Sequence, residues 1–483
     1  MTAPAHSGDD AADAAPRADR RLVRDAAGRR ARDLGPRLLV PLCAGAVLNP
    51  VNSTMIATAL SPIGRAFGVG AGATAWLVSV MYLASAIGQP VAGRLADQFG
   101  PRRVFLAGGV LVTVAGMIGA LGPTFGWLVA ARAIVGLGTG ALYPAAVAMV
   151  REQADRLGVP APARVLGLLN TASLVTLTVG PPIGGVLVDT VGWRAVFAVN
   201  APLGLLVTAL GLLYLPRSRP RARVAAVWRL LDLPGVALFS GAVTLLLVVL
   251  TALPRPPWPL VLGLAGCLVL LVVTELRSRH PFLDVRMLAS NLPLPVAYLR
   301  VSLTFLVVYG VLFGVTPWLQ EGRGLSATAA GLLLLGMSAV GTIASLAGVR
   351  GSRPLWPLLV PALGALVGSL ALTALDSATP IAVLACVVAV FGLPNGMGQV
   401  ANQVVVYRAA PAEQVGAAVG LSRTAQYTGA MIATSLTGLA YAPGVGGPGL
   451  HLLGWVFSAV GFVLVVVTVA DRSLRRPVDP PAV

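Results

Sequence analysis

Long apolar runs, broken only by short segments that carry arginine, fill the chain from residue 37 to residue 470. A membrane-crossing helix needs about 20 mostly apolar residues. Runs of that kind lie near 37–61, 73–95, 104–122, 125–150, 164–188, 195–215, 234–253, 258–275, 294–319, 327–349, 355–375, 380–407, 414–441 and 450–470, which predicts fourteen spans. Inside a bilayer each run must satisfy its own backbone hydrogen bonds, so the expected fold is all-α and integral to the membrane.

Composition supports the same class. The 483 residues are 56% hydrophobic and only 11% charged, whereas a soluble domain carries about a quarter charged residues. A net charge of +17 would point to nucleic acid in a soluble chain. Here the basic residues, all 35 of them arginine, follow the membrane instead, and no nucleic-acid partner is expected. With the N-terminal tail placed inside, 28 of the 35 fall on inner segments. The outer loops keep Arg65, Arg194, Arg255 and Arg323, and the spans keep Arg132, Arg300 and Arg423. By the positive-inside rule both termini are cytoplasmic, and the even span count agrees. The arginine-only, Ala- and Gly-rich usage suits a GC-rich bacterial genome, so the expected location is a bacterial cytoplasmic membrane.

The expected organisation is a disordered cytoplasmic tail over 1–36, a six-helix bundle over 37–216, a basic loop with two extra spans over 217–290, a second six-helix bundle over 291–471 and a short cytoplasmic tail over 472–483. The two bundles look like copies. Gly136-Leu-Gly-Thr-Gly140 lines up with Gly392-Leu-Pro-Asn-Gly396, and Gly167-Leu-Leu-Asn-Thr-Ala-Ser173 with Gly420-Leu-Ser-Arg-Thr-Ala-Gln426. Paired bundles of this kind place cargo at mid-depth between the halves.

Between the second and third runs lies Gly93-Arg94-Leu95-Ala96-Asp97-Gln98-Phe99-Gly100-Pro101-Arg102-Arg103, read as a tight charged loop. It resembles the G-x-L-a-D-x-x-G-[RK]-[RK] signature of major facilitator superfamily transporters. Three further stretches resemble that family: Arg132-Ala-Ile-Val-Gly136-Leu-Gly138, Gly180-Pro181-Pro182-Ile183-Gly184-Gly185, and Gly192-Trp193-Arg194-Ala-Val-Phe197-Ala-Val-Asn200-Ala-Pro202. Within the family the chain is similar to the fourteen-helix drug/proton antiporters of the EmrB/QacA type. The resemblance implies a gating loop of Gly93, Asp97, Gly100, Arg102 and Arg103, and a coupling role for Arg132. It implies export of small lipophilic compounds driven by a proton gradient, with no cofactor. One departure bears on coupling. Where such exporters carry an acid in the first span, in a pattern like L-D-x-T-I-V-N-V-A-L-P, this chain has Asn52, which cannot carry a proton.

The residues themselves add physical content. Asp97 can cap backbone amides or pair with Arg102 or Arg103; the plain alternative is an inner-leaflet anchor. A charge at mid-bilayer costs about 3 kcal/mol or more and usually marks function, which favours a functional Arg132. Arg423 has two open readings: contact with an anionic or carbonyl-bearing cargo, or hydrogen bonding to Gln399 or Asn402. Arg300, near an inner end, is expected to snorkel to the interface. Asn395, Gln399, Asn402 and Gln403 recur at helical spacing and predict one polar stripe. Asn49, Asn52, Tyr82, Gln89, Asn170 and Gln426 complete the expected cavity. Gly180, Pro181, Pro182, Gly184 and Gly185 predict a hinge or a tight helix contact.

The carboxylates Asp97, Asp189, Asp232, Glu275, Glu321, Asp376, Glu413 and Asp471 all fall at span ends or in loops. A cavity without acids suits neutral or anionic lipophilic cargo better than cations. Cys43, Cys267 and Cys386 lie in separate runs and read as packing residues, and His6, His280 and His451 show no ligand spacing, so no metal site is expected. The expected partners are a small lipophilic substrate and the lipid bilayer, and the expected state is a monomer. A carrier of the same fold without proton coupling through the first helix is the alternative. A receptor or enzyme is disfavoured, because no His, Cys or acid cluster is present in the spans.

Overall fold

A computed structural model describes residues 35–157, 163–217, 232–252, 256–278, 281, 285–347, 355–410 and 415–475, and all regular structure among them is helical. The expected tail through residue 34, the end beyond 475, most of the basic loop after Arg217, and Glu413 lie outside the described residues. The first six helices are α1 (Pro36–Phe67), α2 (Ala71–Phe99), α3 (Pro101–Leu121), α4 (Phe125–Leu157), α5 (Ala163–Thr190) and α6 (Ala195–Tyr214). Next come α7 (Leu233–Thr251), α8 (Trp258–Arg277) and a short connector, Val285–Ser290. The last six are α9 (Pro293–Gly322), α10 (Ala327–Ala347), α11 (Leu355–Leu372), α12 (Ile381–Ala409), α13 (Val415–Ala440) and α14 (Gly447–Ala470). Among the described residues eleven helices are long and apolar enough to cross a membrane. That falls short of the fourteen expected: α5, α7 and α13 overlie predicted spans without being among the eleven.

The stretch expected to be a loop at Gly93–Arg103 is mostly helix. α2 continues through Arg94, Asp97 and Phe99, and α3 begins at Pro101. Nothing from Leu95 to Phe99 breaks a helix, so the break falls on Gly100. Its φ of 91° is a conformation that suits glycine, and the proline after it fits the first turn of a helix.

Two groups of six helices repeat one packing pattern. In the first, α1 packs on α4, α5 and α6, α2 packs on α4, and α3 packs on α4 and α6. In the second, α9 packs on α12, α13 and α14, α10 packs on α12, and α11 packs on α12 and α14. Glycines mark equivalent contacts. A Cβ at Gly136 would overlap the Met81 carbonyl, and a Cβ at Gly392 would overlap the Met337 carbonyl; both members of the pair are displaced by 256 residues. Absent side chains let the backbones approach closely, as membrane helices do where apolar burial gives no drive to associate.

The groups meet where α2 packs on α13, where α5 packs on α10, and where the far end of α1 lies against α9 and α10. α7 sits against α2 and α13 beside this seam, and Phe239, Val243 and Leu247 join the shared core. α8 packs chiefly on α7, buries only Leu271 and Glu275, and turns Leu262, Val269 and Leu270 outward, as a lipid-facing helix does.

Gly392→Val should wedge α10 from α12 and lower the melting temperature in detergent by several degrees, consistent with about 1–3 kcal/mol of overpacking. Gly266→Ala on α8 meets nothing within 4 Å and should leave melting unchanged. Equal melting of both variants would contradict the close approach.

Candidate functional site

On the face opposite the chain termini, here the distal face, hydrogen bonds join the two groups. Near Ile56–Ala59, α1 tightens into a 3-10 turn, and α9 ends in a π-helical turn at Trp318–Gly322. These turns meet: Gln320 Nε2 donates to the Thr58 carbonyl at 2.9 Å. Beside them Asp189, at the distal end of α5, accepts from Ala327 N at 3.2 Å and Thr328 N at 2.7 Å. Those amides are the unpaired N–H groups at the start of α10, a favourable place for a carboxylate. Ser79 of α2 and Thr434 of α13 share a hydrogen bond of 2.7 Å. A pocket of about 370 Å³ opens on this face between Arg65, Asp189, Trp193 and Gln320.

At mid-depth an aromatic group spans both halves. Tyr82 of α2 lies 5.4 Å from the ring of Tyr427 on α13 and 5.2 Å from that of Tyr309 on α9. Tyr309 in turn stacks on Phe313 at 5.8 Å. Polar groups fringe the aromatics. Gln89 Nε2 donates to the Tyr427 hydroxyl, which donates to Asn49 Oδ1 at 3.4 Å. Asn49 Nδ2 is held by Thr139 Oγ1 at 2.9 Å and Ser85 Oγ at 3.2 Å. Arg423, one turn before Tyr427, places its guanidinium 5.5 Å from the ring of Tyr143 on α4 and donates to Gln426 Oε1 at 3.4 Å. Of the two expected roles for Arg423, hydrogen bonding to Gln399 or Asn402 does not occur. Asn49, Tyr82, Gln89, Arg423 and Gln426 are therefore brought together. Tyr143, Tyr309 and Tyr427 complete the group and were missed; Tyr427 directly follows Gln426 in the chain, which was the available signal.

Arg132 and Asn52 lie elsewhere, inside the first six-helix group. Arg132 is 2% exposed; its Nε donates to the Leu77 carbonyl at 2.8 Å and Nη1 to the Asn52 carbonyl at 3.1 Å. α4 is thus tied to α2 and α1 by one guanidinium. Asn52 Nδ2 donates to Asn200 Oδ1 of α6 at 2.6 Å and to the Leu48 carbonyl at 3.0 Å. Asn200 lies in the Gly192–Pro202 stretch, and its role emerges only from this contact. Arg132 Nη2 and Asn52 Oδ1 are buried without hydrogen-bond partners.

The expected amide stripe on α12 is split. A π-helical turn at Pro394–Gly398 carries an extra residue through the helix and shifts its register. Asn395 packs near Gly341 of α10, and Gln399 is half-buried. Asn402 turns instead toward Arg300 and accepts from its Nε at 2.9 Å. Arg300 does not snorkel: it is 1% exposed and pairs with Asp471 Oδ2 at 3.2 Å. The neighbouring carboxylate at the end of α14 replaces water as its partner. Gln403 lies within 3.5 Å of the Tyr407 hydroxyl. Asn170 lies on α5, with its side chain outside the described set.

Near the chain termini, Arg94 donates to the Pro281 carbonyl at 2.8 Å and Arg102 to the Leu212 carbonyl at 2.9 Å, while Asp97 and Arg103 are exposed. Gly93 approaches Pro144 of α4 at ordinary contact distance. On α5 the helix runs unbroken through Pro181 and Pro182. Gly180 and Gly184 press on Thr54 and Met55 of α1, and Gly185 presses on Ala327 of α10, with Gly331 meeting the Pro181 carbonyl. This stretch makes a close two-sided contact. Among the described residues no group of His, Cys, Asp and Glu has the arrangement of a metal site.

Residues 42–434 match the Major Facilitator Superfamily, to which the chain belongs. It is a transporter and not an enzyme. It is 30% identical to the "Uncharacterized MFS-type transporter YwoD" of Bacillus subtilis, over 91% of this chain and 97% of that protein. It is also 30% identical to the "Tetracenomycin C resistance and export protein" of Streptomyces glaucescens, over 84% of this chain and 76% of that one. The fold matches a bacterial homologue of the lysosomal transporter Spinster with a TM-score of 0.63 at 16% identity, covering 93% of this chain and 100% of that one.

Asp471→Asn should strip Arg300 of its counter-charge and cost about 3–5 kcal/mol of stability, because a buried charge is left uncompensated. The double variant Arg300→Met, Asp471→Asn should recover much of that loss in a thermal-shift assay; no recovery would mean that the pair acts otherwise. Asn52→Asp should place a carboxylate against Asn200, whose amide must flip to donate to it. Transport by this variant should gain pH dependence, and an unchanged pH profile would remove position 52 from coupling.

Proposed function

We propose that this superfamily member is an alternating-access exporter of small lipophilic compounds in a bacterial cytoplasmic membrane, with fourteen spans and both termini cytoplasmic. The observation that carries this is the shared packing pattern of the two six-helix groups, joined along only a few helix seams. Such a molecule can rock about its middle while each half keeps its own core. The hydrogen bonds of Gln320, Asp189 and Ser79 join the halves on the distal face, which supports an inward-facing conformation in the proposed topology. The fourteen-span EmrB/QacA-type assignment rests on the sequence motifs and on the position of α7 and α8 between the halves. Export is supported by the relatives at about one-third identity, among them "Multidrug resistance protein Stp" of Mycobacterium tuberculosis, 33% identical over 61% of this chain and 55% of that protein.

The cargo is neutral or anionic, because Arg423 is the charged group at the mid-depth seam and the described carboxylates lie elsewhere. Proton antiport is the proposed energy source and follows the family resemblance; the protein acts as a monomer without a cofactor. Asn52, whose carbonyl accepts from Arg132, stands where similar exporters carry an acid in the first span. Here coupling needs another group.

In proteoliposomes, drug efflux should collapse when the pH gradient is dissipated; efflux that is indifferent to the gradient makes the protein an uncoupled carrier. Asp189→Ala removes the carboxylate that joins α5 to α10. It should speed labelling of a Ser79→Cys reporter by an impermeant thiol reagent from the distal side by about tenfold, the effect of losing roughly 1.4 kcal/mol of closure. An unchanged labelling rate would mean that Asp189 does not hold the distal face shut.

A further inference from the structure

Three arginines lie within spans, and they are treated differently. Arg132 and Arg300 are 2% and 1% exposed, and each is walled into one six-helix group by short hydrogen bonds. Arg423 is half-buried, faces the other group, and donates to Gln426 at 3.4 Å and to the Tyr143 hydroxyl across the seam. Among the described residues no carboxylate lies within ion-pair distance of it. A guanidinium carries five N–H donors in a planar fork that fits a carboxylate with two parallel bonds. Gln426 and Tyr143 use part of that fork but bring no counter-charge, and an unmatched charge at this depth is costly.

The surroundings specify what could supply the counter-charge. The Tyr143 ring lies 5.5 Å from the guanidinium, within the roughly 6 Å reach of a cation–π contact. The Tyr427 ring follows one turn later and is stacked with Tyr82. Asn49 and Gln89 hold the Tyr427 hydroxyl and offer amides that suit carbonyl or hydroxyl substituents. One fixed cation, aromatic walls from both halves and a fringe of amides make a wall chemistry for flat molecules with a single acidic group.

We infer that Arg423 is the specificity-determining residue of a mid-depth site for planar aromatic anions, bound through a carboxylate or ionised phenol on the guanidinium and ring stacking on Tyr143, beside the buried Tyr82–Tyr427 stack. This deepens the exporter proposal and rests on it for the direction of transport, though binding itself does not. Because Arg423 and Tyr427 belong to one half and Tyr143 to the other, such a ligand bridges the elements that must move. Organic cations are rejected by the same guanidinium.

The test uses the full-length protein in nanodiscs with anthraquinone-2-carboxylate and the neutral anthraquinone-2-carboxamide as probes, followed by isothermal titration calorimetry. The wild type should bind the carboxylate about tenfold tighter than the carboxamide, the weight of one charge-assisted hydrogen bond. Arg423→Gln should erase that difference by weakening the carboxylate alone, and Arg423→Lys should keep part of it. Equal binding of both probes, no binding of either, or an equal loss of both in Arg423→Gln would overturn the assignment; the last would make Arg423 a scaffold residue. Wild-type proteoliposomes separate the two proposals. If the carboxylate binds with the expected preference but is not moved, the export proposal fails and the site stands. If other drugs are moved while the probes show no charge preference, the site fails and export stands.

Discussion

Inside a bilayer no water is available to satisfy a polar group, so every charge and every stray backbone amide must be matched by protein. The arrangement of this chain follows from that constraint. Arg132 is matched by two backbone carbonyls, and Arg300 by an amide and a carboxylate. Both therefore act as internal ties that fix helices within one half. Asn52 and Asn200 do the same with amides between α1 and α6. Each half becomes a unit that can move without exposing its own polar groups. Where the halves meet at mid-depth stand Arg423 and the tyrosines.

The seam itself is built from departures from regular helix. A 3-10 turn in α1 and a π-helical turn in α9 bring the Thr58 carbonyl and the Gln320 side chain together. The first amides of α10 have no partners of their own helix and take the Asp189 carboxylate instead. Glycines at 180, 184, 185 and 331 let α5 lie against α1 and α10 at backbone distance. These contacts join surfaces without interlocking long side chains, which suits a contact that must part and re-form.

The sequence carried the class and the two-fold repetition well, because both rest on features that survive without coordinates. Apolar run length sets the helices, and the Gly136 and Gly392 stretches sit at equivalent contacts, as the alignment of the halves implied. Side-chain direction was less legible. The expected loop at Gly93–Arg103 is helix almost to Gly100, because charged residues do not by themselves break a helix and only Gly100 and Pro101 do so here. The amide stripe on α12 failed at its π-helical turn, an insertion that helical spacing cannot register. Arg300 was expected to reach outward, since Asp471 is distant in sequence and its approach depends on tertiary packing. Asn49, Gln89 and Gln426 were found as polar residues in apolar runs, whereas Tyr143, Tyr309 and Tyr427 escaped because tyrosine in a span is unremarkable by composition.

The central claim is that two self-contained halves exchange one closed face for the other about the Arg423–tyrosine seam. The most direct measurement is a pair of spin-label distances in proteoliposomes, one across the distal ends of α5 and α10 and one across the termini-side ends of α2 and α13. The two distances should change in opposite directions when cargo or a pH gradient is supplied, with the distal pair lengthening as the other shortens. Distances that stay fixed, or that lengthen together, would contradict the account.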